Sequence, residues 1–235
     1  MLKIGSFEYS HLGKVFEASY AFEQTNQRKP VILIFHAWRG KDEFVYEKAK
    51  YLASLGYLAV AIDLYGKGVI GKTEEQCIQL MSPLIENRHL IQERTNLAIQ
   101  EIKKLEQADI TRLAAIGFCF GGLCALDMAR QLQNIKGVVS FHGLLLPLEK
   151  THRIKSKILV FHGYKDPMVT SRDLENFEKE MMQSEADFQI TIYGQAYHAF
   201  TNPIANSPEK GTVYDEASCK RAILAMKNFF DELFT

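Results

Sequence analysis

Cys119, Asp166 and His198 are residue types that together can break an acyl bond, and each stands where a loop would follow an apolar run. Cys119 sits in Gly117-Phe118-Cys119-Phe120-Gly121-Gly122, between the apolar residues 113–116 and residues 123–129, which read as a helix start. A cysteine inside a folded chain is ordinarily inert packing. At the apex of a strand–turn–helix, with glycines on both sides, it is instead presented as a nucleophile. A thiol is only partly ionised at its free pKa, so it needs a base or a positive neighbour. His198 can take the Cys119 proton and return it to a leaving group, while Asp166 can hold the imidazole tautomer and stabilise the imidazolium.

The elements that must position these residues are legible as runs and periods. Residues 4–10 and 14–22 alternate apolar and polar around His11-Leu12-Gly13, which predicts an edge hairpin. Residues 31–35 and 58–62 are continuous apolar runs of the kind buried on both faces of a sheet. Residues 113–116, 137–141, 157–161 and 188–193 read as further strands. Helical patterns occupy residues 43–55, 74–81, 86–107, 172–184 and 214–234, as well as the segment after Cys119. Strands alternating with helices predict an α/β chain with a mostly parallel central sheet flanked by helices on both faces. No repeat or linker interrupts it, so residues 1–235 are expected to form one domain.

In such a sheet, ligands bind beyond the carboxyl ends of the strands. The residues delivered there are His36, Ala37, Trp38 and Arg39, then Asp63 and Tyr65, then Cys119, His142, His162 with Tyr164 and Asp166, and finally His198. Nucleophile, acid and histidine thus occur in the chain order of α/β-hydrolase triads. The Phe120 N–H at the helix start, with the Trp38 N–H from the first loop, is the expected oxyanion pair. Arg39, Tyr65, His142, Tyr164 and Asn202 are the expected pocket residues. His36, His142 and His162 show no metal-type spacing such as H-E-x-x-H, so no metal is expected.

Taken together, Gly117-Phe118-Cys119-Phe120-Gly121-Gly122, Gly163-Tyr164-Lys165-Asp166-Pro167 and Tyr197-His198-Ala199-Phe200 resemble the dienelactone hydrolase family over nearly the whole chain. The resemblance implies an α/β-hydrolase fold, a Cys119–Asp166–His198 triad, oxyanion donors at Trp38 and Phe120, hydrolysis of esters or lactones, and no cofactor. Two positions depart from the family pattern. Ala37 stands where founding members carry a glutamate that contacts the resting thiol, and Asn202 stands where an arginine binds the substrate carboxylate. Thioester cleavage or acyl transfer at the same site, and a non-catalytic redox-responsive binding role, are the alternative readings.

Composition narrows the partners. Lys plus Arg and Asp plus Glu both number 28, so the formal net charge is zero and neither nucleic acid nor a membrane surface is an expected partner. The N-terminal residues lack the apolar core of a secretion signal, and no apolar stretch is long enough to cross a bilayer. The four cysteines make no C-x-x-C pair, which fits a reduced, cytoplasmic protein. The expected partner is a small ester or lactone; monomer and dimer both remain open.

Overall fold

The structure is a computed structural model that describes residues 1–132, 134–148 and 152–235. It is an α/β fold built on a mostly parallel eight-stranded sheet. The chain divides into two compact units, Met1–Ala115 and Ile116–Thr235. The division falls inside the strand Ala108–Phe118, here β5.

In the first unit, β1 (Leu2–His11) and β2 (Lys14–Glu23) form an antiparallel hairpin with His11 opposite Lys14. Leu12 and Gly13 turn it with φ of 48° and 75°, the left-handed pair that matches strand twist in a two-residue hairpin. The runs read as buried strands are β3 (Lys29–Phe35) and β4 (Leu58–Ile62), paired in parallel from Val31 opposite Leu58 to Phe35 opposite Ile62. Between them α1 (Glu43–Ser54) buries Val45, Ala49, Leu52 and Ala53 on one stripe. Gly56, at φ 99°, makes the turn just beyond the helix. The strand order in this unit is β1-β2-β4-β3-β5.

The remaining helices of this unit differ from the sequence pattern at their ends. Helix α2 (Glu74–Glu86) runs through Pro83 instead of stopping near residue 81. A late proline removes one ladder hydrogen bond, and the helix ends at Asn87, whose N–H reaches the Pro83 carbonyl at 3.1 Å. Helix α3 (His89–Ile102) stops short of residue 107. The N–H groups of Lys104 and Leu105 bond to the residue three back, so the helix tightens and closes. β5 begins five residues before the apolar run, because Ala108-Asp109-Ile110-Thr111-Arg112 mixes apolar and polar residues and hides the strand from a purely apolar pattern.

In the second unit β5 continues to Phe118, and the order is β5-β6-β7-β8. β6 (Gly137–Phe141), β7 (Lys157–Gly163) and β8 (Phe188–Tyr193) pair in parallel. Helix α4 (Phe120–Gln131) follows β5 at once, α5 (Ser171–Gln183) starts on a Thr170–Asp173 capping box, and α6 (Glu216–Phe234) is capped by Asp215. Arg130 in the last turn of α4 is buried, forked onto Glu180 of α5 at 2.8 and 2.6 Å and bonded to Asp127 at 3.1 Å. Removing one partner from a buried ionic group typically costs about 3–5 kcal/mol. This buried ionic cluster therefore ties α4, which begins beside Cys119, to α5, which follows the Asp166 loop.

Candidate active site

The elbow is built by close backbone approach. Cys119 has φ 56° and ψ −121°, a conformation that an L residue holds only when its surroundings enforce it. A Cβ on Gly117 would stand 1.8 Å from the Gly121 carbonyl oxygen, so no larger residue fits beneath the turn. A Cβ on Gly122 would stand 2.6 Å from the Gly143 Cα, so the first turn of α4 is pressed against the end of β6. The Cys119 N–H donates to the Phe141 carbonyl at 3.1 Å. The thiol is half-buried at the N-terminus of α4, and the Phe120 N–H is the first of the helix, where backbone donors and the helix dipole favour negative charge.

Asp166 and His198 are both buried and directly bonded. His198 Nδ1 donates to Asp166 Oδ2 at 2.7 Å, and the Met168 N–H occupies Asp166 Oδ1 at 2.8 Å. A Cβ on Gly163 would fall 2.6 Å from the Ala196 carbonyl oxygen, so the end of β7 presses against the histidine loop. That loop is held from behind by two short strands, β9 (Asn206–Ser207) and β10 (Thr212–Val213). The His198 N–H donates to the Gly211 carbonyl and its carbonyl accepts from Val213.

The charges around His198 raise its affinity for a proton. Burial alone pushes the His198 pKa down, but the Cys119 thiolate and the Asp166 carboxylate outweigh it and hold the imidazole up to about 10. Its Nε2 is buried without an oxygen or nitrogen partner among the described residues, and the group it interacts with on that side is Cys119. The nucleophile, base and acid read from the sequence are therefore brought together, with the base between the other two.

His142 is delivered at the end of β6, as the strand order predicts, and its ring nitrogen and face are engaged by neighbours. It is buried, its ring packed edge-on to His198 with centroids 5.0 Å apart, and its Nε2 lies 2.8 Å from Thr201 Oγ1. Thr201 is the residue sequence reading missed. Its one available signal was its place three residues after His198. His162 is also buried; burial pushes its pKa down, with Asp166 opposing and His198 adding to the shift.

Of the other expected pocket residues of this unit, Tyr164 is exposed and Asn202 is half-buried. Tyr164 is 70% exposed and, with His162 and Asp166, lines a cavity of about 500 Å³. Asn202 turns the chain: its N–H reaches the Ala199 carbonyl at 2.9 Å, and its side-chain oxygen accepts from Ile204.

Trp38, Arg39 and Tyr65 belong to the first unit. Arg39 is exposed. Tyr65 is buried, and its hydroxyl donates to the Trp38 carbonyl at 2.9 Å, fixing the peptide plane of the loop after β3. Asp63 holds the following turn through the N–H groups of Tyr65 and Gly66, at 2.9 and 2.8 Å. Both His36 ring nitrogens are engaged by backbone: Nδ1 donates to the Ala37 carbonyl and Nε2 accepts the Leu64 N–H. A histidine used this way has no lone pair left for a metal.

Comparison with known proteins bears on the fold and the family. The family model described as "Dienelactone hydrolase family" matches residues 17–234. A solved structure named m3DLH has a TM-score of 0.94 at 34% identity, covering 100% of this chain and 99% of its own. A dienelactone hydrolase-like promiscuous phosphotriesterase from metagenomic libraries also has a TM-score of 0.94, at 29% identity, with 100% and 99% covered. A Bradyrhizobium protein named "Probable 2-oxo-3-(5-oxofuran-2-ylidene)propanoate lactonase" is 28% identical over 185 residues, 74% of each chain.

Proposed function

The chain belongs to the dienelactone hydrolase family and is a hydrolase, and from that premise we propose that it cleaves carboxylic esters or lactones through a Cys119–Asp166–His198 triad and a thioester acyl-enzyme. The observation that carries this reading is His198, bonded to Asp166 at 2.7 Å and interacting with Cys119 on its other side. The Cys119 thiolate attacks the acyl carbon, and the carbonyl π electrons move onto oxygen. The Phe120 N–H, with Trp38 as the second donor expected from the sequence, holds that oxyanion. As the tetrahedral intermediate collapses, the His198 imidazolium gives its proton to the leaving alkoxide. Neutral His198 then takes a proton from water, hydroxide adds to the thioester, and the thiolate leaves with the acid product.

The family match runs from residue 17 to 234 and so spans both compact units, which supports one working hydrolase domain. No helix among the described residues is long and apolar enough to cross a membrane. A reducing cytoplasm, in which a reactive thiol persists, is the compartment proposed.

The substrate class follows from charge. Asn202 is neutral and spends its side-chain oxygen on Ile204, so it offers no cation to a substrate carboxylate. The expected substrates are activated neutral esters and lactones. A panel of p-nitrophenyl esters, neutral lactones, carboxylate-bearing lactones and a phosphotriester tests this. The phosphotriester is included because of the metagenomic neighbour's activity. Hydrolysis of neutral acyl substrates with kcat/KM at least about tenfold above the carboxylate-bearing lactones is expected, about 1.4 kcal/mol of discrimination. Preference for the carboxylate-bearing lactones contradicts the assignment of Asn202, and no acyl hydrolysis at all contradicts the reaction.

A further inference from the structure

We infer that His142 and Thr201 are positioning residues that fix the His198 imidazole relative to the Cys119 thiol. A single hydrogen bond from Nδ1 to Asp166 sets one point of the imidazole but leaves the ring able to swing about that bond. The structure supplies the second restraint from β6. The His142 ring meets His198 edge-on at 5.0 Å with planes at 65°, and Phe200 meets the His142 ring at 5.3 Å and 78°. Thr201 closes the arrangement with its hydroxyl 2.8 Å from His142 Nε2. The path runs from His198 along its own loop to Thr201, across to His142, and back to His198.

The same end of β6 also holds the nucleophile. The Phe141 carbonyl accepts the Cys119 N–H at 3.1 Å, and the next residue, His142, packs on the base. Two adjacent residues thus set both sides of the thiol–imidazole gap. His142 is kept at φ 40°, a left-handed value that favours glycine, so the ring is held there at a backbone cost. The partner chemistry fits. A carboxylate beside His142 would favour a second imidazolium next to His198, whereas the Thr201 hydroxyl imposes no charge. The titratable groups acting on His198 or packed against it are Cys119, Asp166, His142 and His162.

This inference rests on His198 serving as the base, and its test separates the two. Thr201→Val keeps shape and removes the hydroxyl; Thr201→Ser keeps the hydroxyl. Thr201→Val is expected to lower kcat about 10- to 100-fold with KM changed less than about twofold, the cost of a misplaced reacting group. The rate of Cys119 alkylation by iodoacetamide reads the thiol–imidazole pair without any substrate turnover. Its pH profile is expected to move to higher pH in Thr201→Val and to return in Thr201→Ser. His142→Asn, which tolerates positive φ, is a second variant. The double substitution is expected to be no worse than His142→Asn alone, as for two residues acting as one unit. If Thr201→Val keeps the wild-type kcat and alkylation profile, or if Thr201→Ser loses as much as Thr201→Val, the inference fails. If Thr201→Val does not fold, additive losses between Thr201→Ala and His142→Asn overturn it in the same way. If alkylation is indifferent to His198→Ala as well, the base assignment itself is what fails.

Discussion

Replacing Cys119 by alanine is expected to lower kcat/KM for p-nitrophenyl acetate by roughly 10⁴- to 10⁶-fold, the loss seen when a covalent nucleophile is deleted. The size follows from where the thiol sits. Cys119 is the residue that the elbow presents at the start of α4, and attack by water has no comparable geometry at that point. The variant should fold. Alanine meets the same strain at φ 56° that cysteine meets, and the Cys119 N–H bond to Phe141 is a backbone bond. Loss of one half-buried sulfur costs on the order of 1 kcal/mol, so the melting temperature is expected to move by only a few degrees for a chain of this size. A folded Cys119→Ala protein that keeps its activity removes the nucleophile assignment.

Replacing His198 by alanine is expected to cost about 10²- to 10⁴-fold in turnover, the usual worth of a positioned acid–base, and to change the thiol itself. In the wild type the imidazole is held up to about 10, so it stays cationic at neutral pH and stabilises a thiolate beside it. Turnover that needs the imidazolium proton should therefore persist through mildly alkaline pH and fall as pH rises through the His198 value. Without that cation, thiolate appears only as pH approaches the free value of about 8.5. The check is Cys119 alkylation against pH. The wild-type rate should be nearly flat around neutrality, and the His198→Ala rate should climb about tenfold per pH unit until the free value is reached. Coincident profiles contradict the ion pair.

What was legible in the sequence was whatever local chemistry dictates. The continuous apolar runs that became β3 and β4 are strands because both faces are covered, and burial makes their composition uniform. The elbow was legible because Gly117 and Gly122 are demanded by contacts no side chain could share. Asp166 and His198 were legible from their order after β7 and β8. The parts that were not legible depend on pairing between distant segments. Residues 108–112 are strand because a neighbour pairs with them, although Asp109, Thr111 and Arg112 break the apolar pattern. β9 and β10 are two residues each, too short to show a period, yet they brace the histidine loop. His142 is placed by its position after a strand, but its bond to Thr201, 59 positions away, leaves no local signal. Tyr65 likewise follows β4, and the bond from its hydroxyl to the Trp38 carbonyl, 27 positions away, leaves no local signal. Sequence order places a residue at the right end of the sheet; its partners there are set by packing.

The central claim is a covalent acyl-enzyme on Cys119, and the most direct measurement is the mass of the protein quenched in acid within milliseconds of mixing with p-nitrophenyl acetate. The account predicts one added acetyl group per chain, located by peptide mapping on the peptide that holds Cys119 and absent from Cys119→Ala. Burst release of p-nitrophenol with no adduct on that peptide, or an acetyl group carried on another residue that decays at the turnover rate, contradicts it.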